Sequence, residues 1–361
     1  MRVNDFQFFN YPKPISLEQY YSCYQQVLNY LVRNFPACTI YQVGGERIQP
    51  GISDVDFLLV NDGTIDGNKL YLREFPLKCR NMEVLVHEPF GIDMATFKWI
   101  TRLSTYRLKE VSKGVHKVDA SFILDDKPFY KLIKLAMYVV VNYPMNFTTI
   151  IERRQVNVRR TLAKLKKLIQ IDKLCKETFN GKGFLDSSFS KEIVQINEGF
   201  PSMGKEEIGI ELLRLVEKAN LEVVHLLELF QEESKHHFGL NLSESTLTIG
   251  NCTTHFTNNW LDNHNKDGSY HLPNNLGLIN QLLNNIDSHY LHHIIPGKKD
   301  DEIAEISELA GAWNNYLKFC NRNSILTLIT DMNFSVTGHD SLKYRIYSKL
   351  GMVKKMLWNE Y

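Results

Sequence analysis

Residues 41–60 read YQVGGERIQPGISDVDFLLV, and the order of elements within this stretch decides the fold. Cys38 to Val43 is β-branched and aromatic, the composition of a strand, and it stops at Gly44-Gly45. A link rich in turn formers follows. Ser53-Asp54-Val55-Asp56 then leads into a second apolar run, Val55 to Val60, closed by Asn61-Asp62-Gly63. On a strand, residues two apart face the same way, so Asp54 and Asp56 are expected to project together. Two carboxylates on one face among apolar neighbours repel each other unless a cation neutralises them. An oxygen-only pair suits Mg²⁺ or Mn²⁺, which accept a couple of carboxylates together with phosphate oxygens and water. The glycine pair at the preceding strand end lets the backbone approach a ligand closely, with N–H groups available to phosphate.

This arrangement resembles the signature of the DNA polymerase beta-like nucleotidyltransferase superfamily: an apolar residue, Gly, then Gly or Ser, a spacer, and Asp-x-Asp entering a strand. Here these are Val43, Gly44, Gly45, Ser53, Asp54 and Asp56, with nine positions from Gly45 to Asp54. Where many members carry serine this chain has Gly45, as in the branch with a double glycine. The resemblance spans about residues 38–125 and implies a small mixed-sheet palm. It further implies Mg²⁺- or Mn²⁺-dependent transfer of an NMP from an NTP such as ATP to an acceptor hydroxyl, with release of pyrophosphate. Asp54 and Asp56 would be the metal ligands, Gly44 and Gly45 would steady the β- and γ-phosphates, and Ser53 and Arg47 would be phosphate neighbours. A third carboxylate is required on a nearby strand. Glu83, in Met-Glu-Val-Leu-Val 27 residues after Asp56, is favoured because its strand pattern is better formed. Asp119, in Val-Asp-Ala 63 residues after Asp56, is the main alternative, with Glu88 and Asp93 behind it.

Outward from the motif, Ser16 and Gln19 form a capping-box pattern ahead of a Tyr- and Leu-rich helix over Leu17 to Phe35. Met82 to His87 and Val115 to Leu124 read as further strands. Beyond Asp125 the texture becomes helical: Phe129 to Asn142, Ile151 to Lys173, Lys205 to Ser234, Asn274 to His293, Asp300 to Cys320 and Ser341 to Trp358. In the second of these, Val158, Leu162, Leu165 and Ile169 form an apolar stripe, with Arg160, Lys164 and Lys167 on the other side. Those three, and Lys131 and Lys134, are weighed as triphosphate contacts against ordinary solvated charge, which is the favoured reading. The Asn- and Thr-rich segment from Asn241 to Asn275 reads as a long loop. The expected class is α+β: a catalytic palm with an N-terminal helix over 1–125, followed by a larger, mostly α-helical domain over 126–361.

The chain has 361 residues, 43% hydrophobic and 23% charged, which excludes a disordered or low-complexity protein. Lys and Arg number 42 against 41 Asp and Glu, so no global charge draws it to nucleic acid or membranes. Its six cysteines, Cys23, Cys38, Cys79, Cys175, Cys252 and Cys320, contain no CxxC pair, and no secretory leader pattern is visible. A cytoplasmic setting with no membrane partner is therefore expected. Nine of the twelve histidines fall between His225 and His293, without the acidic or cysteine companions of a zinc site. The partners expected are an NTP and a hydroxyl acceptor, ranked as small molecule or protein above an RNA end because the charge is balanced. The alternative is a catalytically inactive palm that binds nucleotide or a partner protein. The Tyr stripe Tyr20, Tyr21, Tyr24 and Tyr30 is expected to pack the N-terminal helix.

Overall fold

The computed structural model describes residues 2–13, 15–44, 48–49, 51–61, 84, 89–94, 97, 108–115, 127–142, 147, 150–151, 153–240, 242–249, 252–261, 270–278, 299–308 and 311. It is a mixed α/β protein that divides into two compact units. One holds everything described from Pro12 to Val115, and the other holds the first 11 positions together with everything described from Lys127 onward.

In the first of these units, helix α1 spans Leu17–Asn34 and opens on the expected capping box. Ser16 Oγ accepts from the Gln19 N–H, and the Gln19 side chain accepts from the Ser16 N–H. Tyr20, Cys23, Val27 and Leu31, at helical spacing, are its buried face. The helix ends at Asn34, two residues before Pro36, which cannot continue it. A four-stranded sheet in the order β4-β3-β2-β5 completes the unit, with β2 at Thr39–Val43, β3 at Asp56–Asn61, β4 at Phe90–Asp93 and β5 at Leu108–Ser112. Strand β2 is antiparallel to both β3 and β5, and β4 runs parallel to β3. One sheet face (Ile40, Phe57, Leu59) joins the α1 residues and Val55 in a single apolar cluster. Strands β2 and β3 fall where the sequence places them. Of the other two, expected over Met82 to His87 and Val115 to Leu124, all but Val84 and Val115 lies outside the described residues. Val84, within the expected strand 82–87, lies in a turn, while Val115 is an exposed bend beyond the end of β5.

The second unit contains α2 (Pro128–Asn142), α3 (Val158–Thr178), α4 (Ser187–Gly199) and α5 (Lys205–Phe238). The helix expected over 151–173 is split: Arg154 takes φ 52°, and Gln155–Asn157 forms strand β6, paired in parallel with β1 (Gln7–Phe9). Asn157 then caps α3, accepting from the Arg160 N–H at 3.0 Å and from Asn10 Nδ2 at 3.1 Å. Residues 2–11 thus belong with the helices rather than with the Pro12-to-Val115 unit, and the Phe8 ring rests on Gly209 of α5. On α3 the buried face is Val158, Leu162, Leu165, Leu168, Ile171 and Cys175; Ile169, expected inside, is half-buried at its edge. Arg160 is exposed, and Lys164 and Lys167 are half-buried. The apolar stripe of α5 from Ile208 to Phe230 is buried throughout.

The segment expected as a loop forms a three-stranded sheet, β7 (Ser245–Ile249), β8 (Cys252–Thr257) and β9 (Tyr270–Pro273). Phe256 and Leu272 are buried beneath it. Trp260 Nε1 donates to Gln231 Oε1 at 2.9 Å, and the buried Asn275 amide donates to Ser234 Oγ at 2.7 Å, tying this sheet to α5. Of the later helices, residues 274–277 make a 3₁₀ turn and 300–308 are helical. The remainder of those two expected helices, apart from positions 278 and 311, and all of 341–358 lie outside the described residues.

On α5, Glu233 is buried and accepts from Lys182 Nζ at 2.5 Å, with His237 Nε2 at 3.1 Å. The Lys182 hydrogen bond is the main cause holding its carboxyl below the ordinary value of 4.5. A carboxyl lowered on folding stabilises the protein above its unfolded value, and that stabilisation is lost as pH falls through the lower folded value. Denaturation midpoints measured from pH 7 down to below 4.5 should therefore show Glu233→Gln weakened at neutral pH and less acid-sensitive than the parent. Parallel curves would contradict this.

A carboxylate pair beside a glycine turn

Strand β3 begins at Asp56, and the ladder places Val43, the last residue of β2, directly opposite it. Gly44 follows immediately with φ 122°, open to glycine and strained for other residues, and among the described residues nothing stands within 4 Å of where a Cβ would be. Backbone conformation rather than crowding selects glycine here. The end of β2 and the acidic start of β3 thus share one edge of the sheet.

The link between them is fastened internally. Ile52 and Ser53 donate their N–H groups to the Gln49 carbonyl, and the Gln49 N–H donates to Ser53 Oγ at 2.8 Å. Ser53 is engaged as a turn-closing acceptor. Gly51 has φ 85°, and a Cβ on it would stand 2.7 Å from the Lys13 carbonyl oxygen, so the link lies against the segment that enters α1.

Asp54 precedes the strand and Asp56 opens it; both are half-buried, and Oδ1 of Asp56 is shielded from solvent. Val55 and Phe57 belong to the α1-side cluster, so strand alternation turns Asp56 to the opposite face. That face continues through Leu58 of β3 with Val43 and Tyr41 of β2, and the Tyr41 ring packs on Phe97 with centroids 4.8 Å apart. Burial first, and then the Glu110 charge, push the Tyr41 phenol up to about 12.

Tyr20 of α1 donates its hydroxyl to the Asp54 carbonyl at 2.6 Å. Its pKa is raised, chiefly by burial and then by the charges of Asp54 and Asp56. Both carboxylate charges therefore act on one phenol. Sequence reasoning treats Tyr20 as packing and misses this bond. The one available signal is its position at the buried start of the helix, facing a motif 34 residues away.

Glu83, Asp119, Glu88, Gly45 and Arg47 lie outside the described residues, so only Asp54, Asp56, Gly44 and Ser53 of the sequence-derived set are brought together. Asp93 has a described backbone, and its register partner is Asn61, at the far end of β3. Five residues at about 3.3 Å each separate Asn61 from Asp56, which removes Asp93 as an ion-sharing partner. Val84, next in sequence to Glu83, is fully buried, and its carbonyl accepts from the Val55 N–H at 2.8 Å. Lys131, Lys134, Arg160, Lys164 and Lys167 belong to the helical unit.

Among the described residues no set of three or more His, Cys, Asp or Glu is placed to share a metal ion, and no helix is long and apolar enough to cross a membrane. Comparison with protein-family models, curated proteins and solved structures finds none that matches the chain.

Proposed function

We propose that the chain is a nucleotidyltransferase whose palm is the Pro12-to-Val115 unit, moving an NMP from an NTP to an acceptor hydroxyl. The supporting observation is the shared edge: Val43, the last residue of β2, stands across the ladder from Asp56, with Gly44 directly after Val43 and Asp54 two residues before Asp56. Two half-buried carboxylates two positions apart at the entry to β3 are an oxygen donor pair suited to Mg²⁺ or Mn²⁺. Such an ion, when bound, supplies charge neutralisation at the triphosphate and an acidified acceptor hydroxyl.

The chain's own part is positional. Asp54 and Asp56 orient the cation, and the Gly44 turn lets the backbone come close to the β- and γ-phosphates without a side chain intervening. Ser53 acts through the turn it closes, which holds Asp54 at the strand entry. Glu83 is the preferred third carboxylate, because its neighbour Val84 bonds to Val55 between the two aspartates. The balanced charge favours a small molecule or a protein as acceptor over RNA.

Incubating the protein with each α-phosphate-labelled NTP, Mg²⁺ and cell extract tests this. Labelled product that depends on Mg²⁺ and Asp56 is expected. NTP binding that ignores metal, with no label transferred, would favour the inactive binding module instead.

A further inference from the structure

The peptide joining Asp54 to Val55 is gripped from both sides. On one side the Tyr20 hydroxyl donates to its carbonyl at 2.6 Å; on the other its N–H donates to the Val84 carbonyl at 2.8 Å. Neither grip comes from a neighbouring strand of the sheet at that point, since β3 begins only at Asp56. Tyr20 is itself fixed: 2% exposed, on a capped helix, with its ring edge against Tyr21 and its turn packed through Cys23. Rotation of this one peptide is the motion that would swing the Asp54 side chain relative to Asp56, because the strand ladder already holds Asp56 through Val43. We infer that Tyr20 is a positioning residue that sets the geometry of the Asp54–Asp56 pair for a divalent cation. This rests on the metal reading of the pair proposed above.

Tyr20 touches neither cation nor nucleotide; it acts through the Asp54 main chain. Its hydroxyl lies 2.6 Å from the Asp54 carbonyl oxygen. The same proximity makes it a reporter, because a cation settling between the aspartates changes the field at the phenol ring.

The test uses the full chain, with Mn²⁺ followed by electron paramagnetic resonance and Mg²⁺ by tyrosine ultraviolet difference spectroscopy. Four proteins are compared: the parent, Tyr20→Phe, Tyr24→Phe and Asp56→Asn. Tyr24, one turn on, packs its ring on Phe57 and serves as the matched control. Tyr20→Phe should bind Mn²⁺ roughly three- to tenfold more weakly, the factor one hydrogen bond commonly supplies. It should also lose the Mg²⁺-induced tyrosine signal, whereas Tyr24→Phe should match the parent in both. A purely structural Tyr20 would lower thermal stability and leave cation affinity in the folded state unchanged, and that result overturns the inference while sparing the metal reading. If the parent binds no cation, or Asp56→Asn binds as well as the parent, the metal reading falls and takes the inference with it. Should Tyr20→Phe not fold, the parent alone decides: no tyrosine signal at saturating Mg²⁺ overturns the inference.

Discussion

Replacing Asp54 or Asp56 with Asn should abolish label transfer while leaving the protein folded. The exchange keeps size and polarity but removes one of the two negative charges at the entry to β3. A cation that supplies several kcal/mol at the phosphoryl centre is worth more than about 10²-fold in rate, since each 1.4 kcal/mol is roughly tenfold. Either variant should fall at least that far, with divalent-cation binding lost in parallel. Stability should hold or rise by a few tenths of a kcal/mol in the cation-free protein, because mutual repulsion is relieved. The two effects must separate. A variant that loses activity only because it melts says nothing about metal, and one with near-normal transfer sinks the two-carboxylate assignment. Thermal melts and label transfer on the same preparations distinguish these cases.

The second large effect concerns stability of the helical unit. Asp172 of α3 is buried, and one of its oxygens accepts main-chain N–H groups from Phe184 (2.9 Å) and Leu185 (3.0 Å). The other accepts from Lys176 Nζ at 2.6 Å. This carboxylate fastens the connection between α3 and α4. Asp172→Ala leaves two interior N–H groups without an acceptor, at about 1–3 kcal/mol each, so a loss of about 3–5 kcal/mol is expected. For a unit of this size that lowers the melting temperature by on the order of 10 °C. Asp172→Asn keeps an acceptor oxygen and should lose much less. Lys176→Met should cost under about 1 kcal/mol, because the ammonium is half exposed and its ion pair is screened. Equal losses for Asp172→Ala and Lys176→Met would show that the ion pair, not the main-chain acceptor, carries the stability.

The elements legible in the sequence are those whose signals are local. Ser16 and Gln19 bracket the start of α1, the Ile208-to-Phe230 stripe spells out α5, and the β-branched runs around Gly44 and Asp56 give β2 and β3. Helix α4 carries a readable signal outside the expected helices: Asp186 caps it through the Ser188 and Phe189 N–H groups, and Phe189, Ile193 and Ile196 repeat at helical spacing. The β7–β9 sheet is obscured by the asparagines between and around its strands, although Thr246-Leu247-Thr248-Ile249 alternates as a strand should. Strand β6 had no local signal, since three residues become a strand only because Gln7 to Phe9 lie beside them. The site shows the same division. Asp54, Asp56 and Gly44 are legible from spacing along one hairpin-like segment. Tyr20 is not, because the bond that matters spans 34 residues and is made by a phenol that any packing argument already explains.

The β1–β6 pair also bears on how the chain is made. Its two strands are 148 residues apart, and everything described of the Pro12-to-Val115 unit is encoded between them. At about 5–20 residues per second, translation delivers Gln155 many seconds after Gln7. Throughout that interval β1 emerges from the ribosome with no partner, while the unit that follows it already has its own helix and sheet. The natural order of events is therefore inside-out. The intervening unit folds as soon as it is complete, and the earlier strand waits, exposed, to be claimed by a later one. A fusion partner or deletion placed ahead of Gln7 then acts at a distance, on the assembly of helices encoded more than a hundred residues downstream.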